Sequence, residues 1–460
     1  MSTSPLPLHP SADPVKLYEP LTGDRTAFWR HLRQIHGEVA PALIEPGVPA
    51  WLLLSYGANR QVMADDATFK RDPRHWRDLH NGHIGPDAGV RATWHKRPTA
   101  LLSDGEEHHH LSTALTGAFA QLDAQRTLGR IAETAHRLID TFSVNGQADL
   151  MGQYARLLPL HVLCRLMGMS TPELARITGC MSQIWAAQPG AMKAVHQMQS
   201  LLLQVARQGR TDPDPHSLPT LLVQQGLTEV ETAEQLGLIV SAAADPVTHT
   251  IGQALRQLLT DAALASAYGA STLQITETVN LVQLRHSPME TLVARFPDRD
   301  VEIGARRIRA GDCLVFGFAS ASDEMFGHLA DEDAASNRAH LTFGLGAHRC
   351  PRYGRDLALA MAETAIATLF DRLPDVGLTT RPEQHLWLPG TQLRGLASLP
   401  AAFTPATPRS EEPTWATPPA HRSSSTRPGP DTTPTSKPAP SRPQARLRRW
   451  FSPAAWKPKP

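Results

Sequence analysis

Long uninterrupted apolar runs are missing from this 460-residue chain, and so are charge imbalance and paired cysteines. No window reaches the roughly 18 consecutive apolar residues that a membrane helix needs, so no transmembrane segment is expected. The opening residues, MSTSPLPLHPSADPVKLYEPL, have no basic stretch leading into an apolar one, so no signal peptide is expected either. Lys and Arg number 45 and Asp and Glu 44, a net charge of +1. That balance creates no global field to gather nucleic acid or acidic ligands. The four cysteines, Cys164, Cys180, Cys313 and Cys350, form no CxxC pair. This argues against a disulfide framework and leaves a reducing cytoplasm as the expected compartment. Also absent are GxxxxGK[ST], GxSxG and a GxGxxG after a strand. The chain therefore carries no nicotinamide or flavin domain of its own, and any electrons it uses come from separate proteins.

What is present divides at about residue 403. Before it, a chain that is 41% hydrophobic overall concentrates its aliphatic residues and can bury a sizeable core. After it, Pro, Ser, Thr and Arg dominate, and such a segment cannot bury enough apolar surface to offset its ordering entropy. Residues 1–15 are expected to be flexible, 16–403 to form one domain, and 404–460 to be a disordered tail. The last stretch, ARLRRWFSPAAWKPKP, mixes Arg with aromatics and could touch a protein partner or an anionic membrane surface, though a solvated basic end explains it as well.

The pattern within 16–403 is mainly α with small β-sheets. HHLSTALTGAFAQLDAQRTLGRIAETAHRLIDTF repeats apolar positions three and four apart, which predicts helix. TAEQLGLIVSAAADPVTHTIGQALRQLLTDAALASAY reads as a long helix, apolar on several sides and therefore buried. Strand signals stand at 50–55 and in 300–318, where DVEIGARRIRAGDCLVFG reads as two short strands around turn residues.

The stretch FGLGAHRCPRYG, residues 343–354, carries the chemistry. Cys350 falls just ahead of a helical pattern, RDLALAMAETAIATLFDRL, where backbone N–H groups and the helix dipole favour a thiolate. Gly344 and Gly346 would let the backbone pass close to a flat cofactor. An isolated Cys would more simply be a buried structural thiol. Zinc is disfavoured, because the HHH at 108–110 cannot place three ligands on one helical face and a second cysteine ligand is missing.

FGLGAHRC resembles the haem-binding loop of cytochromes P450, Phe-Gly-x-Gly-x-His-x-Cys. Phe343, Gly344, Gly346, His348 and Cys350 match its five fixed positions. The resemblance extends over roughly residues 15–402. It implies the P450 fold, with a haem b buried between a long central helix and the cysteine loop. Cys350 is then the iron ligand, and His108, Arg295 and His348 fall on positions that bind the haem propionates.

The chain also departs from the family. Its Glu-x-x-Arg positions hold Leu281 and Leu284, a coherent apolar repacking in which both charges are lost together. In this it resembles an actinobacterial subgroup. On the central helix, Asp245 sits on the acidic position, but Pro246 replaces the Thr that assists proton delivery. Pro246 is expected to kink the helix there. Thr248 is the candidate substitute hydroxyl, or else simply bonds its own backbone. Ser112 stands where many relatives have Arg. Pro351 and Arg352 follow the cysteine where an apolar residue and Gly are usual.

The resemblance implies a haem-thiolate monooxygenase that inserts one atom of O2 into a small organic substrate. Ferredoxin and ferredoxin reductase would be the electron donors, and Arg349, Arg352 and Arg355 would suit an acidic ferredoxin. The alternative is a haem-binding protein of the same fold without turnover, acting as a sensing or scaffolding partner. Trp94, within residues 80–100, and the segment 180–215 are expected to line the substrate pocket.

Overall fold

One helix of 32 residues, Glu229–Thr260, runs through the centre of the protein, and most other helices pack around it. The computed structural model describes residues 13–19, 24–85, 88–185, 191–388 and 393–409. The sequence sets the bounds of the central helix. Thr228 and Glu231 form a reciprocal capping box at its start, and Asp261 ends it by capping the next helix, Ala262–Gly269. The single long helix read from the sequence is therefore two. Pro246 lies inside the central helix, which runs continuously past it. Its cost is local, because Pro246 has no N–H to give to the Ala242 carbonyl one turn earlier.

The helical stretch beginning at residue 109 likewise divides, into Gly105–Ala120 and Ala124–Asp140, with Asp123 accepting from the Arg126 N–H at the second start. Ala124–Asp140, Leu157–Leu166, the central helix and Arg352–Arg372 enclose the largest apolar core. Leu163, Ile251, Leu255, Met361 and Ile366 are fully buried there.

A six-stranded sheet forms the other wall. Its order is Val15–Lys16, Val39–Glu45, Val48–Leu53, Leu314–Phe316, Leu292–Pro297, Phe69–Lys70. Val15 and Lys16 pair in parallel with Ala42 and Leu43, so the folded body includes part of the stretch read as flexible. The region 300–318 yields three short strands where two were expected. Gly304, at φ +55°, closes the tight hairpin of Val301–Ile303 with Arg306–Ile308, and the turn at Gly311, φ +76°, sends Leu314–Phe316 into the large sheet.

At the other end, residues 404–409, assigned to the tail from composition, are tied to the body. The Thr404 N–H donates to Asp375, the Ala406 N–H to the Ser143 carbonyl and the Arg409 N–H to Asp140. The rest of the expected tail, including its Arg- and Trp-rich end, lies outside the described residues. Among the described residues no helix is long and apolar enough to cross a membrane.

Candidate active site

The cysteine loop is held from both sides. Its ends close on each other, the Cys350 N–H donating to the Phe343 carbonyl at 2.8 Å. Gly344 and Gly346 both adopt φ +72°, a conformation that disfavours any side chain. A Cβ on Gly346 would also collide with the Met63 carbonyl, because the loop lies directly on the end of helix Tyr56–Ala64. Asp66, just past that helix, accepts from the Ala347 N–H at 2.7 Å and faces His348 Nδ1 at 3.0 Å.

Pro351 is the residue preceding helix Arg352–Arg372, with extended backbone, and so stands one position outside the helix. The glycine that is missing two residues after the cysteine is supplied two residues later. Gly354 lies against the sulfur, where a Cβ would come 3.9 Å from Cys350 Sγ. Burial pushes the Cys350 thiol up to about 11, against the pull of Arg355.

Cys350 lines a cavity of about 1190 Å³. Asp245, Pro246, His249 and Thr250 of the central helix line the same space, as do Phe343, Gly344 and His348 of the loop and Trp94 and Ser112. No described residue of 193–215 does so, and 186–190 lie outside the described residues. The walls are mostly aliphatic and aromatic.

Cations gather at one edge. Arg295 is 2% exposed, and its Nη1 donates to Asp66 at 2.7 Å and to the Phe69 carbonyl at 2.7 Å. Beside it lies Arg71, which sequence reasoning missed. It is fully buried, donates to the Ala294 carbonyl at 2.7 Å, and burial and Arg295 push it down to about 9. The Nε groups of Arg71 and Arg295 are both buried without a partner among the described residues. His108 completes the edge, its ring 4.0 Å from that of His348. Burial, and then His348, push His108 down to about 4. Burial alone would raise Asp66; the bonds from His348 and the Ala347 N–H and the Arg295 guanidinium outweigh it and hold the carboxyl far below its usual range.

Two expected roles change on this geometry. His348 was expected to bind a propionate, but its Nδ1 faces Asp66 and its Nε2 faces the Ser103 carbonyl at 2.9 Å. Neither nitrogen is left for a carboxylate; the ring braces the loop. Thr248 was expected to reach the reaction chamber. At 3.6 residues per turn it points about 200° away from both Pro246 and Thr250. It is 1% exposed, does not line the cavity, and its hydroxyl has no partner among the described residues. The alternative reading of Thr248, a hydroxyl bonded to its own helix, describes Thr250 instead. Thr250 Oγ1 donates to the Pro246 carbonyl at 2.8 Å and accepts from Gln283 Nε2 at 2.8 Å. The i, i+4 spacing from Pro246 was the available signal for it.

Leu281 and Leu284 are both buried, in a small apolar cluster with Phe326 and Ala334, so the missing ion pair is replaced by packing. Arg285 points elsewhere and donates to the carbonyls of Phe326 and Leu329.

No family model matches the chain. Individual relatives do. A 2-hydroxy-5-methyl-1-naphthoate 7-hydroxylase of Streptomyces carzinostaticus is 25% identical over 378 residues, 79% of this chain and 92% of that protein. A vitamin D(3) 25-hydroxylase of Pseudonocardia autotrophica is 26% identical over 78% of this chain and 89% of its own length. A biflaviolin synthase of Streptomyces coelicolor is 29% identical over 67% of this chain and 78% of that protein. Among solved structures, CYP154C4 from Streptomyces sp. W2061 superposes with a TM-score of 0.76 at 21% identity, covering 87% of this chain and 100% of that one. At that identity the superposition establishes the fold. The fold is that of bacterial cytochromes P450, and the chain is similar in sequence to hydroxylases and monooxygenases of that family. Nothing in the comparisons favours the non-catalytic alternative.

Proposed function

We propose that Cys350 would hold the iron of a haem b through its sulfur and that the protein inserts one atom of dioxygen into a bulky, mostly apolar organic substrate. One observation carries this reading: Cys350 and the Asp245–Thr250 stretch line a single cavity whose edge holds Arg71, His108 and Arg295. The residues fit the group. A buried thiol that resists ionising on its own would lose its proton to solvent on coordinating a strongly positive partner such as iron. The two unpartnered guanidinium Nε groups and a neutral imidazole suit propionate carboxylates. At about 1190 Å³ the cavity exceeds the roughly 300–1,000 Å³ of common ligand pockets, room for a flat macrocycle and a substrate together.

Bound haem supplies the activation of dioxygen; the chain positions the reactants and handles protons. Phe343, Gly344 and Gly346 give the macrocycle a close backbone surface, and Asp66 and His348 fix that surface. The Asp245 carboxylate exchanges protons at the cavity wall. Thr250 Oγ1, oriented by Gln283, presents a hydroxyl on the face where Pro246 has none. Apolar walls exclude water and select an apolar substrate, in keeping with the naphthoate and vitamin D(3) in the names of two relatives. Electrons come from a ferredoxin and its reductase. The docking face is the exposed Arg349 with Arg352 and Arg355, whose side chains are 50% and 42% exposed. The setting is the cytoplasm.

Turnover with surrogate ferredoxin partners in isotopically labelled dioxygen tests the reaction. One labelled oxygen atom per product is expected. Reductant consumed without labelled product, across a broad panel of apolar substrates, would overturn the reading.

A further inference from the structure

A second cavity, of about 470 Å³, lies further along the same stripe of the central helix. Gln253, seven residues beyond Pro246, and Arg256 project into it. Its opposite side is built from residues distant in sequence: Arg25, Glu290, Trp387 and Arg394.

Three guanidiniums here surround one buried carboxylate, and two of them approach it. Arg25 claims both oxygens of Glu290, with its Nε 2.9 Å from Oε1. Arg394 approaches the same carboxylate only to 3.9 Å. Arg256 has its Nε on His385 Nδ1 at 3.1 Å, and among the described residues no carboxylate lies within ion-pair distance of it. Arg394 and Arg256 both lie over the Trp387 ring, at 4.1 and 5.6 Å from its centroid. The remaining acids of the lining are committed. Asp24 and Asp261 cap helix N-termini, Asp323 binds Arg30 and Arg33, and Asp331 is at the rim beside Arg285.

The crowding is felt by the cations themselves. Burial and Arg394 push Arg25 down to about 9, and burial and Arg256 push Arg394 down to about 10. Gln253, meanwhile, is 2% exposed, and neither its amide nitrogen nor its amide oxygen has a partner among the described residues. A buried polar side chain without partners carries a desolvation cost that a ligand would remove.

We propose that this cavity binds a small, multiply charged oxyanion bearing carboxylate or phosphate groups. Arg256 and Arg394 supply the charge, the Gln253 amide supplies a neutral donor, and the bidentate Arg25–Glu290 pair sets the back wall. The site is separate from Cys350 and does not rest on the haem assignment.

The test is calorimetry and thermal unfolding of the full-length holoprotein with citrate and, separately, inorganic phosphate, at an ionic strength held constant with chloride. A saturable rise in Tm is expected with at least one of them. Citrate alone would assign a carboxylate ligand, and phosphate alone a phosphate group. Arg256→Gln and Gln253→Leu should each weaken binding about tenfold or more, roughly 1.4 kcal/mol, while leaving the reduced, carbon monoxide-bound spectrum unchanged. Gln253→Leu removes only unpartnered atoms, so it serves even if Arg256→Gln does not fold. No saturable response to either anion, or a response of equal size in the variants, would overturn the site.

Discussion

The two cavities share one helix face and differ in almost everything else. The first is mostly apolar, and its buried arginines, Arg71 and Arg295, stand at one edge, where Asp66 compensates Arg295 directly. The second gathers cations around Trp387 with a single buried carboxylate between them. Between them along the stripe stands Thr250, bonded to Gln283. The difference teaches that helix position alone does not set the character of a site. Pro246 and Gln253 point the same way, but one meets aliphatic walls and the other meets Arg25 and Arg394, brought in from two distant segments.

Arg295→Leu attacks the compensated edge of the first cavity and should have the largest effect. It leaves Asp66 without its guanidinium, and removing one partner of a buried pair costs about 3–5 kcal/mol. Denaturant unfolding, with haem occupancy measured alongside, checks this. A cost under about 1 kcal/mol would mean the edge is not held by that pair.

Substitutions at Leu281 and Leu284, both lining the second cavity, probe the sign of its charge. Leu284→Arg should destabilise by about 3 kcal/mol, since it adds a cation with no carboxylate of its own to a cavity that already holds Arg25, Arg256 and Arg394. Leu281→Glu should cost clearly less, and the double variant should recover part of the Leu284→Arg loss. The reverse order in urea unfolding would contradict a cationic cavity.

Each cavity also holds a buried histidine pushed down to about 4 from 6.5. Burial and then Arg156 lower His249 in the first; burial and then Arg256 and Arg394 lower His286 in the second. Between these two pH values the unfolded chain binds protons that the folded protein refuses. Stability therefore falls as pH drops from about 6.5 to about 4. His249→Phe and His286→Phe should each flatten that slope. Whichever anion fills the second cavity should flatten the His286 contribution and leave that of His249 intact, as read from Tm against pH.

The smallest effects belong to the C-terminal segment, whose described residues line neither cavity. Truncation after Arg409 should leave Tm unchanged. Truncation after Phe403 removes the bonds to Asp375, Ser143 and Asp140, and should cost about 1–3 kcal/mol in all.

The first cavity was far more legible in the sequence than the second. Five fixed residues within eight positions announce the cysteine loop, and capping residues at 228 and 231 announce the central helix, because local chemistry decides both. Arg71 and Asp66 were missed because their tasks come from the loop's tertiary docking on helix Tyr56–Ala64. The misplacement of Thr248 came from counting two residues from Pro246 when a helix face returns after four. Residues 404–409 have a tail's composition, but backbone amides need only a nearby carboxylate to be ordered, and Asp140 and Asp375 provide it. The second cavity leaves no local pattern, since positions 25, 253, 256, 290 and 394 meet only in the fold.

Ligation by Cys350 remains the point on which the functional account turns. The reduced, carbon monoxide-bound spectrum of the full-length protein, compared with that of Cys350→Ala, tests it directly. The account predicts a thiolate-type Soret band for the unaltered protein and its complete loss in the variant. A thiolate-type band that survives in Cys350→Ala, or its absence from haem-loaded unaltered protein, would contradict it.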